Sequence, residues 1–205
     1  MTVNPEPEAL DLAGALPEVT RAELSALHAR LAENADAAGV LDVAYRTLDT
    51  PAGSLLLAAT RSGLVRVAYR IEGHDQVLEA LASRVSPRIL QAPGRLDAAA
   101  REIDEYFAGR RRSFDLPLDF RLCTAFRRKV LRHLPGIGYG HTASYATVAA
   151  AVGAPRAVRA VGTACATNPL PLVVPCHRVI RSDGQPGGYL GGPATKRLLL
   201  DLEAA

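Results

Sequence analysis

At 205 residues, with 48% hydrophobic and 22% charged residues and no apolar run near the roughly 20 residues that cross a bilayer, the chain reads as a soluble protein with no membrane partner. It is long enough to bury one large core or two small ones. The start, MTVNPEPEALDL, lacks the basic and apolar regions of a secretory signal, and three scattered cysteines are too few for a disulfide framework, so a reducing, cytoplasmic setting is expected. The net charge of +3 divides unevenly. Residues 1–120 carry thirteen Lys/Arg against eighteen Asp/Glu, and residues 121–205 carry eleven against three. Either the C-terminal part meets a polyanion that the N-terminal part does not, or its basic surface is simply solvated.

In chain order, residues 1–38 form an N-terminal extension that opens on a Pro/Glu-containing segment. A helix follows, with Thr20 as N-cap and Glu23 in capping-box position. Leu24, Leu27 and Leu31 make one stripe at helical spacing, expected to pack on the body of the protein. Residues 39–120 read as an N-terminal α/β domain. Alternation at Leu41, Val43 and Tyr45, a turn at Pro51-Ala52-Gly53, the run Leu55–Ala59, a turn at Ser62-Gly63 and the run Leu64–Tyr69 predict a three-stranded antiparallel meander. Helices follow over 75–85 and 96–107, the second placing Leu96, Ala99, Ile103 and Tyr106 or Phe107 on one face and ending at Gly109. The triplet Arg110-Arg111-Arg112 beyond it suits a solvated helix exit or a phosphate contact.

Residues 121–205 are predicted to be mostly helical. Residues 124–134 are amphipathic, with Phe126, Val130, Leu131 and Leu134 on the apolar side. Ser144 caps a short helix through Val152, Gly153-Ala154 breaks it, and Pro155 at a first helical position opens another through Ala166. Such a pair is either a helix-turn-helix or two packing helices. The second helix is smooth: Ala157, Ala160, Val161, Gly162, Thr163 and Ala164 are small, while Arg156 and Arg159 project. A helix this slim can enter a DNA minor groove or lie against another protein, and the basic balance of the region favours nucleic acid. A loop over 167–192 and a last helix from Thr195 to Glu203 complete an α/β (α+β) chain, a small antiparallel sheet with helices followed by a mostly helical C-terminal domain.

The loop carries the chemistry. Pro175-Cys176-His177-Arg178-Val179 follows the apolar run Leu172-Val173-Val174, so a thiol and an imidazole stand side by side at the end of a buried segment. A free thiol ionises near pH 8.5 and needs a base at neutrality. His177 is adjacent, directly or through a bridging water, and needs an orienting group of its own. Glu203, one turn beyond Leu199, is either that group or a surface acid near a terminus. Gly184, Gly187-Gly188 and Gly191-Gly192 around Tyr189 suit a pocket wall built from loop or a plain surface turn. Neither C-x-x-C nor H-E-x-x-H spacing links Cys123, Cys165, His133 and His141, and no metal and no cofactor is expected. Cys123 and Cys165 read as small packing residues.

With Asn168-Pro169 before it and Tyr189-x-Gly191-Gly192 after it, Pro-Cys-His-Arg-Val resembles the motif of the O6-alkylguanine-DNA alkyltransferases, the methylated-DNA–protein-cysteine methyltransferases. The resemblance spans about 40–205 and is dense from Ser144 to Glu203. It implies that Cys176 accepts the alkyl group from O6-alkylguanine in double-stranded DNA, and from O4-alkylthymine too. It makes His177 the water-mediated base, Glu203 the carboxylate that orients it, Asn168 the brace of the active-site turn, and Tyr145 the proton or hydrogen-bond donor to guanine. Tyr189, Val174 and Gly191 border the base. Arg159 fills the gap left by a flipped nucleotide, on a helix with Arg156, Ala157, Ala160 and Gly162 set in the minor groove. The thioether product has no exit, so each molecule acts once. A monomer in solution is implied, with cooperation between neighbours on DNA left open.

Three departures stand out. Thr163-Ala164-Cys165-Ala166-Thr167 lacks an arginine common before Asn-Pro, Pro186-Gly187 is unusual at the loop tip, and the 38-residue extension has no counterpart. A non-catalytic protein that recognises alkylguanine is the competing reading, against which the presence of Cys176 argues.

Overall fold

The computed structural model describes residues 19–204, and the Pro/Glu-containing opening segment lies outside them. Helix α1 (Arg21–Ala37) starts as expected: the Thr20 hydroxyl accepts from the Glu23 N–H, and the Glu23 carboxylate accepts from the Thr20 N–H. Its leucine stripe corrects the sequence reading. Leu24, Leu27 and Leu31 are 48%, 53% and 52% exposed, and Ala32 is the buried residue of the helix. The helix is moored by its last turn instead, where Asp36 pairs with Arg95 and the Val40 and Leu41 N–H groups close on the Ala35 carbonyl.

Strands β1 (Val43–Thr50), β2 (Gly53–Thr60) and β3 (Gly63–Tyr69) form the expected meander. A fourth strand, β4 (Ile89–Gln91), runs parallel to β1, so the sheet is mixed, in the order β3-β2-β1-β4. Three residues after Pro87 are too few to display an alternation, which is why the sequence leaves β4 unmarked. Gly63 is needed where it stands. At φ +132°, a Cβ there would fall 2.1 Å from the Pro117 carbonyl oxygen, the same oxygen that accepts from the Leu64 N–H at 2.8 Å.

The sheet is buried on both faces, and the alternation of β2 divides them. Leu56 and Ala58 pack with Val43, Val65, Val77 and Leu81 under helix α2 (His74–Arg84). Leu55 and Leu57 pack with Val67, Tyr69, Leu96 and the Ala99–Ile103–Tyr106 face of helix α3 (Asp97–Phe107). That second core runs on without a break into Val130, Leu131, Leu134, Val161, Leu170 and Leu199 of the C-terminal part. Each such leucine contributes about 1.5–3 kcal/mol by burial, so the two halves of the chain share their stability.

The C-terminal part contains α4 (Ala125–His133), capped by Thr124, α5 (Tyr145–Ala151), capped by Ser144, α6 (Val158–Ala166) and α7 (Gly192–Ala204). Helices α5 and α6 meet through a tight turn in which Gly153 has φ +71°. Pro155 does not open α6, contrary to expectation. It is the second residue of a turn closed by the Ala157 N–H on the Ala154 carbonyl at 2.8 Å, a position that its locked φ suits, and the helix begins after Ala157. Strands β5 (Ala143–Ser144) and β6 (Val179–Ile180) pair in parallel, tying the start of α5 to the segment after the Cys-His pair. The α+β class, sheet and helices first and then a mostly helical part, is the one expected.

Candidate active site

Residues Cys176–Arg178 form one 3-10 turn leading into β6. The chain reaches it under strain. Leu172, at φ +72°, is the one non-glycine residue with positive φ among the described residues, a conformation costing about 1–2 kcal/mol. What holds it is Asn168, completely buried. Its Nδ2 donates to the Val174 carbonyl at 3.0 Å and to Cys176 Sγ at 3.2 Å, and its Oδ1 accepts from the Leu170 N–H at 3.0 Å. One amide therefore ties the loop to the thiol. The Val67 N–H of β3 donates to the Pro169 carbonyl at 2.8 Å, anchoring the same loop to the sheet.

His177 is fully buried, with Nε2 2.8 Å from Glu203 Oε1. Glu203, in the last turn of α7, is no surface acid: its side chain is 1% exposed. It also accepts from Arg178 Nε and Nη2 at 2.8 and 2.9 Å, from the Tyr106 hydroxyl at 2.7 Å and from the Gly140 N–H at 3.2 Å. Burial alone would raise its pKa, but the hydrogen bonds from His177 and Arg178 outweigh it and bring the carboxyl down to about 2. A carboxylate only accepts, so Nε2 carries the imidazole proton. The lone pair is then on Nδ1, which is buried and meets no hydrogen-bonding group among the described residues. Burial also lowers the pKa of His177, against the pull of Glu203, and keeps the ring neutral.

The thiol is silent at rest. Burial pushes Cys176 up to about 11, although the Asn168 hydrogen bond and the charge of Lys196 act the other way. Lys196 is itself fully buried and donates through Nζ to the Val179 carbonyl at 2.6 Å. Its own pKa is lowered by desolvation, against the attraction of Cys176 and Cys165.

Two tyrosines stand over this floor. Tyr145 opens α5, half-buried, and a Cβ on Gly187 of the loop would lie 3.0 Å from its hydroxyl. The Tyr189 hydroxyl is 2.8 Å from that of Tyr69, and the Tyr189 ring stands edge-on to His177 at 6.3 Å. Gly191 lets the loop press against β3, since a Cβ there would fall 2.9 Å from the Tyr69 ring. Val174 is fully buried, its carbonyl engaged by Asn168.

Cys176, His177, Glu203, Asn168, Val174, Tyr145, Tyr189 and Gly191 thus gather around one turn. Arg156, Ala157, Arg159, Ala160 and Gly162 do not join them. Arg159 and Ala160 lie on the exposed side of α6 and Gly162 is half-buried, while Arg156 and Ala157 precede the helix. Four contributors escaped the sequence reading: Arg178, Tyr106, Tyr69 and Lys196. Arg178 was signalled by the motif that contains it. Tyr106 was legible only as an inward-facing residue of α3, and nothing local marked the other two. Among the described residues, no group of three or more His, Cys, Asp or Glu is disposed to hold a metal, and no helix is long and apolar enough to cross a membrane.

A buried thiol, imidazole and carboxylate beside a helix-turn-helix with a small-residue, arginine-bearing outer face define a thiol-dependent group-transfer protein that works on DNA. Comparison with known proteins names the group transferred. Residues 43–120 match the family described as 6-O-methylguanine DNA methyltransferase, ribonuclease-like domain, and residues 125–205 match the DNA binding domain of the same family. The methylated-DNA–protein-cysteine methyltransferase of Mycobacterium tuberculosis is 42% identical over 159 residues, covering 78% of this chain and 91% of the relative. The constitutive enzyme of Bacillus subtilis is 38% identical, covering 78% and 94%. Among solved structures, the Mycobacterium tuberculosis O6-methylguanine methyltransferase superposes with a TM-score of 0.70 at 40% identity, over 79% of this chain and 93% of that one. The Mycobacterium tuberculosis OGT in complex with DNA gives 0.69 at 40% identity, over 78% and 92%. The chain belongs to the 6-O-methylguanine DNA methyltransferase family, and its activity is repair of DNA by direct transfer of an alkyl group to a protein cysteine.

Proposed function

We propose that Cys176 is the acceptor and that it is used once. The observation that carries this is the buried His177–Glu203 pair next in the chain to a buried Cys176 thiol that Asn168 holds. The thiol gives its proton, through a water, to Nδ1 of neutral His177, while Glu203 holds Nε2–H and stabilises the imidazolium. Sγ attacks the alkyl carbon, the S–C bond forms and the C–O6 bond breaks. The electron pair goes to guanine, which Tyr145 meets with a hydrogen bond or a proton. Guanine regains one proton and the thiol has lost one, so the transfer balances without a co-reactant. Val174, Tyr189 and Gly191 border the base, and Asn168 braces the turn.

The target atom lies inside a base pair, so the nucleotide is extruded, at a cost of a few kcal/mol that a weakly paired lesion lowers. In this reading α6 enters the minor groove with Ala160 and Gly162 against its floor, Arg156 and Ala157 at its entrance and Arg159 in the vacancy. O4-alkylthymine enters the same pocket, residues 121–205 form the DNA-binding and alkyl-acceptor domain against which the N-terminal α/β domain at 39–120 packs through a shared core, and the protein binds as a monomer. The test is to mix the protein with a duplex containing O6-methylguanine, digest it and weigh the peptide bearing Cys176. A gain of about 14 Da, saturating at one group per protein and absent in Cys176→Ala, is expected for a single acceptor. Alkylation elsewhere, or more than one turnover, refutes the assignment.

A further inference from the structure

Helix α4 carries more positive charge than its fold requires. Arg127, Arg128 and Lys129 occupy its first two turns, which contain no acidic residue, and none of the three has a carboxylate partner among the described residues. Cations at a helix N-terminus oppose the helix dipole, and Arg128 repels Arg132 one turn further on. The arrangement destabilises α4 unless an anion arrives.

The positions of these cations say where. Arg127 donates through Nη2 to the Thr167 carbonyl at the end of α6, and its Nε is buried without a partner. Lys129 Nζ stands by the turn between α5 and α6, 3.8 Å from where a Cβ on Gly153 would lie. The charges of Arg127, Arg128 and Arg84 all bear on the half-buried Cys123 thiol, so the last residue of α2 joins the cluster from the N-terminal half. Arg84 and Arg127 line one cavity of about 410 Å³ at the seam between the halves, with Leu122, Ala166 and Thr167. Its remaining arginine, Arg66, is already neutralised by Glu72. The exposed edge of α6 leads to this seam through Thr163, Ala166 and Thr167.

We propose that Arg84, Arg127 and Arg128 form a second seat for the DNA backbone, holding phosphates of the strand that passes the C-terminal end of α6, while Lys129 stands at the opposite end by the α5–α6 turn. The proposal rests on the reading that α6 occupies the minor groove. That groove is about 6 Å wide and a helix is about 10–12 Å across, so backbone must run along both flanks of the helix. Helix α4 packs against one flank. The N-terminal half, acidic overall, thereby touches DNA through one arginine.

The experiment is a salt titration of full-length protein binding a labelled undamaged duplex, for the wild type, Arg84→Gln, Arg128→Gln and the double variant. Each lost phosphate contact makes the slope of log K against log salt shallower by about 0.9, hence about 1.8 for the double variant. In parallel, the ratio of the repair rate on duplex to that on free O6-benzylguanine falls. An unchanged slope for Arg84→Gln overturns the seat, as does weaker binding with an unchanged slope, which means that α6 has been deformed. Failure of the wild type to alkylate Cys176 refutes the site assignment instead, and leaves the slopes to decide the seat independently.

Discussion

Replacing Glu203 by Gln tests the carboxylate at the centre of the site. The folded group ionises at about 2 against an ordinary 4.5, which corresponds to about 3 kcal/mol of stability at neutral pH. With 1% of the side chain exposed, solvent screening removes little of it. Because the folded value is depressed, this contribution is complete above pH 4.5 and disappears as pH falls through 2. At pH 3 linkage leaves less than half of it. The variant has no such branch. It also strips Arg178, 5% exposed, of its counter-charge, a loss of about 3–5 kcal/mol that overlaps the first figure rather than adding to it. Urea unfolding at pH 7 should therefore find Glu203→Gln less stable by about 3–5 kcal/mol, and at pH 3 the gap should narrow by about 2 kcal/mol. An equal gap at both pH values would mean that the residue supplies packing and not charge, and the derivation of the His177 tautomer would fall with it.

The pH profile of the chemical step follows from the two neighbours. With thiol and imidazole both neutral at rest, the reactive thiolate–imidazolium pair has the same proton count, so alkylation by free O6-benzylguanine is expected to be flat from pH 7 to pH 9 in stopped-flow rates. A tenfold rise per pH unit would show that solvent, not His177, takes the proton. Tyr69→Phe leaves the half-buried Tyr189 hydroxyl without its partner, at about 1 kcal/mol, and should lower Tm by about 2–4 °C for each kcal/mol lost. Gly187→Ala places a methyl 3.0 Å from the Tyr145 hydroxyl at φ +67°, costing about 1–2 kcal/mol, and should slow transfer while lowering the unfolding free energy in urea by no more than that amount. Arg159→Ala should reduce repair of duplex far more than reaction with the free base, because only the duplex requires extrusion of a nucleotide, and equal losses would contradict its role.

The sequence discloses what is local and conceals what is paired across it. Thr20–Glu23, Ser144 and Gly109 are legible because a cap or a terminating glycine acts within a few residues. Cys176 and His177 are legible because chemistry makes their adjacency unusual, whereas Glu203 becomes legible only through the family resemblance, since its spacing from Leu199 leaves a surface acid equally open. Tyr106 reaches Glu203 across 97 positions, and Tyr69 reaches Tyr189 across 120, so no window of sequence holds either pair. The leucine stripe of α1 fails for a related reason. Spacing shows that three leucines share a face but not what lies opposite, and here the helix is held by Asp36 and its C-terminal turn. Pro155 misleads because one locked φ serves a helix start and a β-turn equally well.

On the proposed assignment of Cys176 as a single-use acceptor, the protein gains from a nucleophile that ignores electrophiles not seated in its pocket, and the site accounts for that on electrostatic grounds. Ionising a thiol with a pKa of about 11 at pH 7 costs about 5 kcal/mol, and Cys176 is only 2% exposed. Burial is thus the source of both its silence and its dependence on a substrate seated in the pocket. The apparatus needed to reverse that penalty is already assembled around it: Asn168 on the sulfur, the buried ammonium of Lys196, and an imidazole whose tautomer Glu203 sets. None of these groups has to be created by DNA. What the substrate must supply, in DNA or as the free base, is an alkyl carbon held in line with the sulfur, so that proton loss and S–C bond formation offset one another in a single step. Reactivity then tracks the delivery of the lesion, and Cys176 is spent where its loss repairs a base.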